Sequence, residues 1–271
     1  MPGAASAFYR VLFGFLALLP FLLNAIGKGL RIGRSSILLA FLGGAFFAGD
    51  IALFNSAVLQ TSASSAAFLA NNAPFFVAML AWAATRKLPR RRFWVAFALA
   101  LAGATLIMAV DKHHSRSGFA ADGMAVVASI CFALYLAVTE RLRGSYPALV
   151  LVAISTGSSA LVLLLYATLT HVSLRISSLS SLFALIGLGC LCQVIGYFCL
   201  TYSLGHLPAT STSIVLLAVA PFTAVLAFAL FGERITVIQV VGNGMVLAGV
   251  WIVSNRGRSD DGAPIPFAQP T

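Results

Sequence analysis

The residues able to do chemistry in this chain are few, and one stands apart. Asp50 is a carboxylate inside an otherwise apolar run. In a lipid setting an ionised carboxylate costs several kcal/mol unless it is paired, so it marks either a structural ion pair or a group that handles substrate or protons. Arg10, near the start of the preceding apolar run, is its expected partner at similar depth, and the sequence leaves both roles open. Asn55, Asn71, Asn72, Gln193, Tyr197, Tyr202 and Asn243 add hydrogen-bonding groups on several apolar runs. They are able to line a polar cavity or to tie helices together. Gln193 and Tyr197, spaced i, i+4, share a helix face. Pro74 and Pro221 each remove a backbone hydrogen bond within an apolar run, and paired breaks in two halves of a membrane protein point to a binding region.

Other candidates carry less. The Ser/Thr cluster at Thr210, Ser211, Thr212 and Ser213, like Ser62, Ser64 and Ser65, suits close helix packing. His113, His114 and His206 have no metal-ligand company, and no metal or cofactor is expected. Cys131, Cys190, Cys192 and Cys199 lie in apolar runs and read as small core residues. Intramembrane hydrolysis needs two facing aspartates, a Ser/His pair or a His/Glu metal set, and Asp50 is alone. A Gly-rich phosphate loop with its Lys is absent, so the chain reads as neither an enzyme nor an ATP-driven pump.

The elements that position these residues follow from composition. Of 271 residues, 60% are hydrophobic and 9% charged, far below the roughly 25% charge of soluble domains. Charge-free stretches such as 11–27, 51–85 and 176–232 reach the roughly 20 residues that a bilayer requires. Backbone groups in lipid must be satisfied within the segment, which predicts helices. Cuts at charges, prolines and glycines give nine: 8–27, 36–57, 62–85, 93–110, 120–140, 147–169, 179–204, 208–231 and 235–255. The tail 256–271, rich in Pro and Gly, is expected to be disordered and cytoplasmic. The formal charge of +10 sits in connections, which argues for topology signals and a lipid partner rather than nucleic acid. Lys28, Arg31, Arg34, Arg86, Lys87, Arg90, Arg91, Arg92, Arg141, Arg143, Arg256 and Arg258 fall on one side. Lys112, Arg116, Arg175 and Arg234 fall on the other. The first side is therefore cytoplasmic in a multi-pass protein of the plasma (inner) membrane, with this chain's N-terminus outside.

An internal repeat at an offset of 147 pairs Leu53 with Leu200, Ser56 with Ser203, Ser64 with Ser211, Leu69 with Leu216, and Ala73-Pro74-Phe75 with Ala220-Pro221-Phe222. Four helices separate the paired third and eighth, so the copies are inverted across the bilayer. Residues 1–110 form the first copy with four helices, 111–119 a linker, and 120–255 the second copy with five. The shortfall predicts that the complete protein begins with a further apolar helix before Met1 and a cytoplasmic N-terminus.

These residues resemble a known family. Leu204-Gly205-His206-Leu207-Pro208-Ala209, Ala220-Pro221-Phe222, Phe231-Gly232-Glu233-Arg234 and Val246-Leu247-Ala248-Gly249-Val250 look like the second EamA domain of the drug/metabolite transporter superfamily. Phe47-Ala48-Gly49-Asp50, Thr61-Ser62, Asn72-Ala73-Pro74 and Ala81-Trp82 look like the first domain. The resemblance covers nearly all of 5–255 and implies ten helices in two inverted five-helix halves, a central cavity, and export of metabolites or drugs without ATP. The chain departs from it by lacking one helix in the first half and by carrying Thr85-Arg86-Lys87 where the second copy has Gly232-Glu233-Arg234. Within that frame the expected transport site comprises Asp50, Arg10, Asn55, Asn71, Asn72, Pro74, Gln193, Tyr197, Tyr202 and Pro221. Its expected ligand is a small molecule, with proton coupling as the expected drive.

Overall fold

A computed structural model describes residues 3–60, 69–108, 119–174, 178–231 and 236–255, and these are helical with no strands. Helix α1 spans Gly3–Gly27, α2 Arg34–Gln60, α3 Ala73–Thr85, α4 Arg91–Met108, α5 Phe119–Arg143 and α6 Ala148–Leu169. Helix α7 runs Leu179–Ser203, α8 Ala209–Leu216, α9 Val219–Phe231 and α10 Val237–Ser254. Among the described residues seven helical stretches are long and apolar enough to cross a membrane, so this is a multi-pass membrane protein. The expected linker, the tail, Thr61-Ser62, Ser64, Ser65, His113, His114 and Glu233-Arg234 lie outside the described residues.

Local chemistry sets several helix ends. Thr236 and Gln239 form a reciprocal capping box at the start of α10, satisfying donors that a helix N-terminus leaves open. Ser178 accepts from Ser181 N–H at the start of α7. Arg86 ends α3 in the left-handed region at φ 56°, its N–H bonding the carbonyl of Trp82.

Two expected helices differ. The run 208–231 is interrupted by a turn at Leu217-Ala218, and the run 62–85 has a turn at Asn71-Asn72. At both places tighter i→i+3 bonds replace the regular pattern, as with Phe75 N–H to Asn72 O and Ala220 N–H to Leu217 O. Pro74 and Pro221 therefore sit in the first turn of a new helix, where a missing N–H costs nothing, rather than inside a continuous one. A third irregularity was not expected: the middle of α7, Gly189–Gly196, is wound as a π-helix, with Tyr197 N–H reaching back to Cys192 O.

The chain divides into two compact units. Of the described residues, the first holds 3–56 and 134–206, and the second holds 57–60, 69–108, 119–133 and 207–255. In the first unit α6 is the most enclosed helix, with Ser155, Thr156, Ser158 and Ser159 all buried. Gly44 of α2 lies against the Ser155 carbonyl and the Ser158 hydroxyl, and Ser159 Oγ donates to Gly44 O at 2.6 Å. In the second unit α4 and α10 meet backbone to backbone. A Cβ on Gly242 would stand 2.7 Å from Gly103 O. Small residues at helix contacts permit this approach where lipid supplies no hydrophobic drive.

The cysteines correct the sequence reading. Cys190, Cys192 and Cys199 are exposed and Cys131 half-buried. A lipid-facing position is as apolar as a core one, so composition alone did not separate them.

Candidate functional site

Among the described residues, the first unit holds Asp50 and Arg10, charges set well inside apolar helices. Asp50 lies 16 positions into α2 from Arg34, about 24 Å along the helix axis. Arg10, in the first half of α1, is its charged neighbour. The expected ion pair is looser than foreseen: no direct pair forms between the two among the described residues, and Arg10 Nε is buried without a hydrogen-bond partner. Both side chains keep partial exposure. The two charges are thus neighbours that do not close on each other.

Aromatic rings wall this pair. Phe47 of α2 stands 4.6 Å from the Tyr197 ring and 5.1 Å from the Tyr135 ring. Tyr135 and Tyr197 are 6.2 Å apart, edge to face, a spacing in the favourable range for ring pairs. Tyr197 shares the electrostatic surroundings of Arg10, Asp50, Tyr135 and Cys192. The Tyr135 phenol, on α5, faces the hydroxyls of Thr201, Thr139 and Ser155.

Close backbone contact brings α1 to this wall. Gly14 of α1 leaves room for Gln193, since a Cβ there would meet Gln193 Cγ at 2.6 Å. One turn away, Gly189 sits against the Arg10 carbonyl, 3.0 Å from where its own Cβ would be. The π-wound stretch, a feature frequent at functional sites, so carries Gln193 into the bundle against Gly14. Gln193 Nε2 donates to Thr156 Oγ1 at 3.2 Å. Its Oε1 has no partner, although the residue is only 1% exposed. As expected from their spacing, Gln193 and Tyr197 both turn inward.

The remaining expected residues divide. Asn55 Nδ2 donates to Gly3 O at 3.2 Å, tying the end of α2 to the start of α1. Tyr202 is 53% exposed, and its ring lies tilted against His206 with centroids 4.6 Å apart. Asn71, Asn72, Pro74 and Pro221 all belong to the second unit, where they form the two helix breaks, with Asn72 Nδ2 bonding Leu69 O. In the same unit Asn243 Oδ1 and Thr212 Oγ1 are buried without partners.

Sequence reasoning missed Tyr135, Thr139, Ser155, Thr156 and Thr201. Their signal was periodic: Tyr135 and Thr139 on one helix, and Gln193, Tyr197 and Thr201 on another, recur every four residues within apolar runs. Among the described residues no group of His, Cys, Asp or Glu is placed to hold a metal.

Comparison with known proteins places this arrangement. The family model described as the EamA-like transporter family matches residues 1–109 and 119–255. An uncharacterized transporter, YwfM, of Bacillus subtilis (strain 168) is 28% identical over 265 residues, covering 95% of this chain and 86% of its own length. An uncharacterized transporter of Archaeoglobus fulgidus is 24% identical over 245 residues, covering 90% of this chain and 84% of its own. A crystal structure only 15% identical in sequence superimposes with a TM-score of 0.78 over 95% of this chain and 89% of that one, a likeness of fold alone.

Proposed function

Because the chain belongs to the EamA-like transporter family, we propose that it is a secondary active transporter that exports small metabolites or drugs by alternating access. The observation that carries this reading is the Arg10–Asp50 neighbourhood. Two intramembrane charges that each cost several kcal/mol stand as neighbours without pairing, with Arg10 Nε buried and unpartnered. Fixed structural charges close on one another, whereas charges that serve a ligand stay available. Phe47, Tyr135, Tyr197 and Gln193 complete the site, with Asp50 as the group that exchanges protons for substrate. Asn71, Asn72, Pro74 and Pro221 contribute the flexible helix breaks, and Asn55 and Tyr202 support the helix ends.

The two breaks, at Asn71-Asn72 and Leu217-Ala218, fall within a residue of each other at the offset of 147. That match supports nine spans arranged as four plus five inverted helices. The Lys and Arg distribution supports a plasma-membrane protein with its C-terminus in the cytoplasm.

The test is exchange in proteoliposomes loaded with amino acids, purines or sugars, under an imposed pH gradient. Saturable flux of at least one class, accelerated by the gradient, is expected. Absence of flux from folded protein across the whole panel would instead favour a degenerate, non-transporting membrane protein.

A further inference from the structure

We propose that the seam between α5 and α7 is the water-filled route by which the Arg10–Asp50 site is reached from the loop end bearing Arg31, Arg34, Arg141 and Arg143, and that Arg143 and Tyr146 hold it shut in this structure. The proposal rests on the reading of Asp50 as part of a transport site.

Two polar rows face each other along this seam. On α5, Tyr135, Thr139 and Arg143 follow every four residues, and on α7, Gln193, Tyr197 and Thr201 do the same, extended by Gly205. They meet rung by rung. Tyr135 stacks edge-on against Tyr197 at 6.2 Å, its phenol faces Thr201 and Thr139, and Arg143 Nε donates to Thr201 O at 2.9 Å. Ser155 and Thr156 of α6 line the same side. Eight residues separate Tyr135 from Arg143, about 12 Å of helix, so the rows reach from the ring cluster to the end of the span.

Helix contacts in lipid need no such chemistry, since small apolar residues suffice. Burying hydroxyls and amides has a cost wherever a partner is missing. Here Gln193 Oε1 is buried and unpartnered, while Thr139 and Thr201 are 6% and 0% exposed. Polar groups that gain little from closure are explained if water reaches them in another state of the cycle.

The closure itself is compact. Besides Thr201 O, Arg143 holds Tyr146 O through Nη1 at 2.6 Å. The Tyr146 hydroxyl donates to Ser36 Oγ at 3.1 Å and accepts from Gly33 N–H at 3.3 Å. The ends of α5 and α7 and the start of α2 are thereby tied together. Gly205 matters here because its missing side chain is where the guanidinium lies. Tyr146 also packs beside Ala40, Leu142 and Leu151, so its ring is anchored independently of its hydroxyl.

The experiment is cysteine accessibility in a chain whose four native cysteines are replaced by Ala. A membrane-impermeant maleimide is applied to the face from which a cysteine at Ser145 is labelled. Thr139→Cys should react slowly in the otherwise unaltered protein. Adding Arg143→Gln should speed it by about tenfold, the shift expected when charge-assisted hydrogen bonds to carbonyls are lost. Tyr146→Phe, which keeps the anchored ring, should speed it by about threefold for loss of one neutral bond. Val152→Cys, buried in α6 against Leu18, should stay unlabelled in both backgrounds. Rates at Thr139→Cys unchanged by both substitutions, or raised equally at Val152→Cys, overturn the proposal. Accelerated labelling in a protein whose transport is indifferent to Asp50→Asn would keep the route and remove the transport-site reading.

Discussion

Two glycines on α10, two residues apart, should respond to the same substitution with opposite signs. At Gly242 an added methyl would stand 2.7 Å from the Gly103 carbonyl, 2.9 Å from Ile107 Cγ1 and 3.2 Å from Ile107 N. Two of these neighbours are backbone, so relief requires α4 and α10 to separate by several tenths of an ångström along their shared length. Overpacking of this kind costs about 1–3 kcal/mol. Alanine returns up to about 1 kcal/mol over glycine in a helix interior, which leaves Gly242→Ala destabilised by roughly 1–2 kcal/mol. At Gly244 nothing lies within 4 Å. Gly244→Ala should then stabilise by about 0.5–1 kcal/mol. The assay is reversible unfolding in mixed detergent micelles of rising SDS fraction, followed by tryptophan fluorescence. Trp82, Trp94 and Trp251 all belong to the second unit, so the signal reports the bundle that the substitution perturbs. Equal stability of the two variants would refute the close α4–α10 approach.

Three further outcomes follow from the first unit and the loops. Ser159→Ala removes hydroxyl bonds to Gly44 O and Ser155 O and should cost about 0.6–2 kcal/mol, read by circular dichroism during the same detergent titration. Gly14→Ala should destabilise by about 1–3 kcal/mol, because its methyl meets Gln193 Cβ as well as Cγ. Adding Gln193→Ala, which removes the Cγ and the amide beyond it but keeps the Cβ, should rescue it in part, and complete rescue would contradict the Cβ contact. Cysteines at Arg91 and Thr170 should be labelled from opposite faces of the membrane, Arg91 from the cytoplasm, and labelling of both from one face would overturn the charge-based topology.

How much of this was legible in the sequence depended on which signal lipid leaves intact. Apolar length survives, so α1, α2, α5, α6 and α7 fall within a few residues of their expected positions. Isolated intramembrane charge survives too, which is why Asp50 and Arg10 stood out and why the structure finds them as neighbours. The inward or outward facing of neutral residues does not survive. Cys190 and Cys192 were expected in a core and Tyr202 at the site, yet all three are exposed. An apolar exterior removes the amphipathic stripe that marks a soluble helix's buried face. The π-wound stretch of α7 was invisible for another reason: it lies where Gly14 and Gly189 bring α1 into close contact with the helix, a tertiary contact with no local motif. The helix breaks were half legible, since Pro74 and Pro221 announced them. Their position before the prolines, at Asn71-Asn72 and Leu217-Ala218, follows from the preference of proline for a helix's first turn.

The central claim is that Asp50, held beside Arg10 but not bound to it, belongs to the transport site. Its most direct test is the rate of solute exchange by purified Asp50→Asn in proteoliposomes, compared with the unaltered chain at equal amounts of folded protein. The substitution keeps the shape, removes the charge and replaces one acceptor oxygen by an NH2 donor. A loss of at least about tenfold in rate, equivalent to roughly 1.4 kcal/mol of lost interaction, with unchanged unfolding in detergent, is the predicted result. Exchange at the unaltered rate, with the same response to a pH gradient, would contradict it.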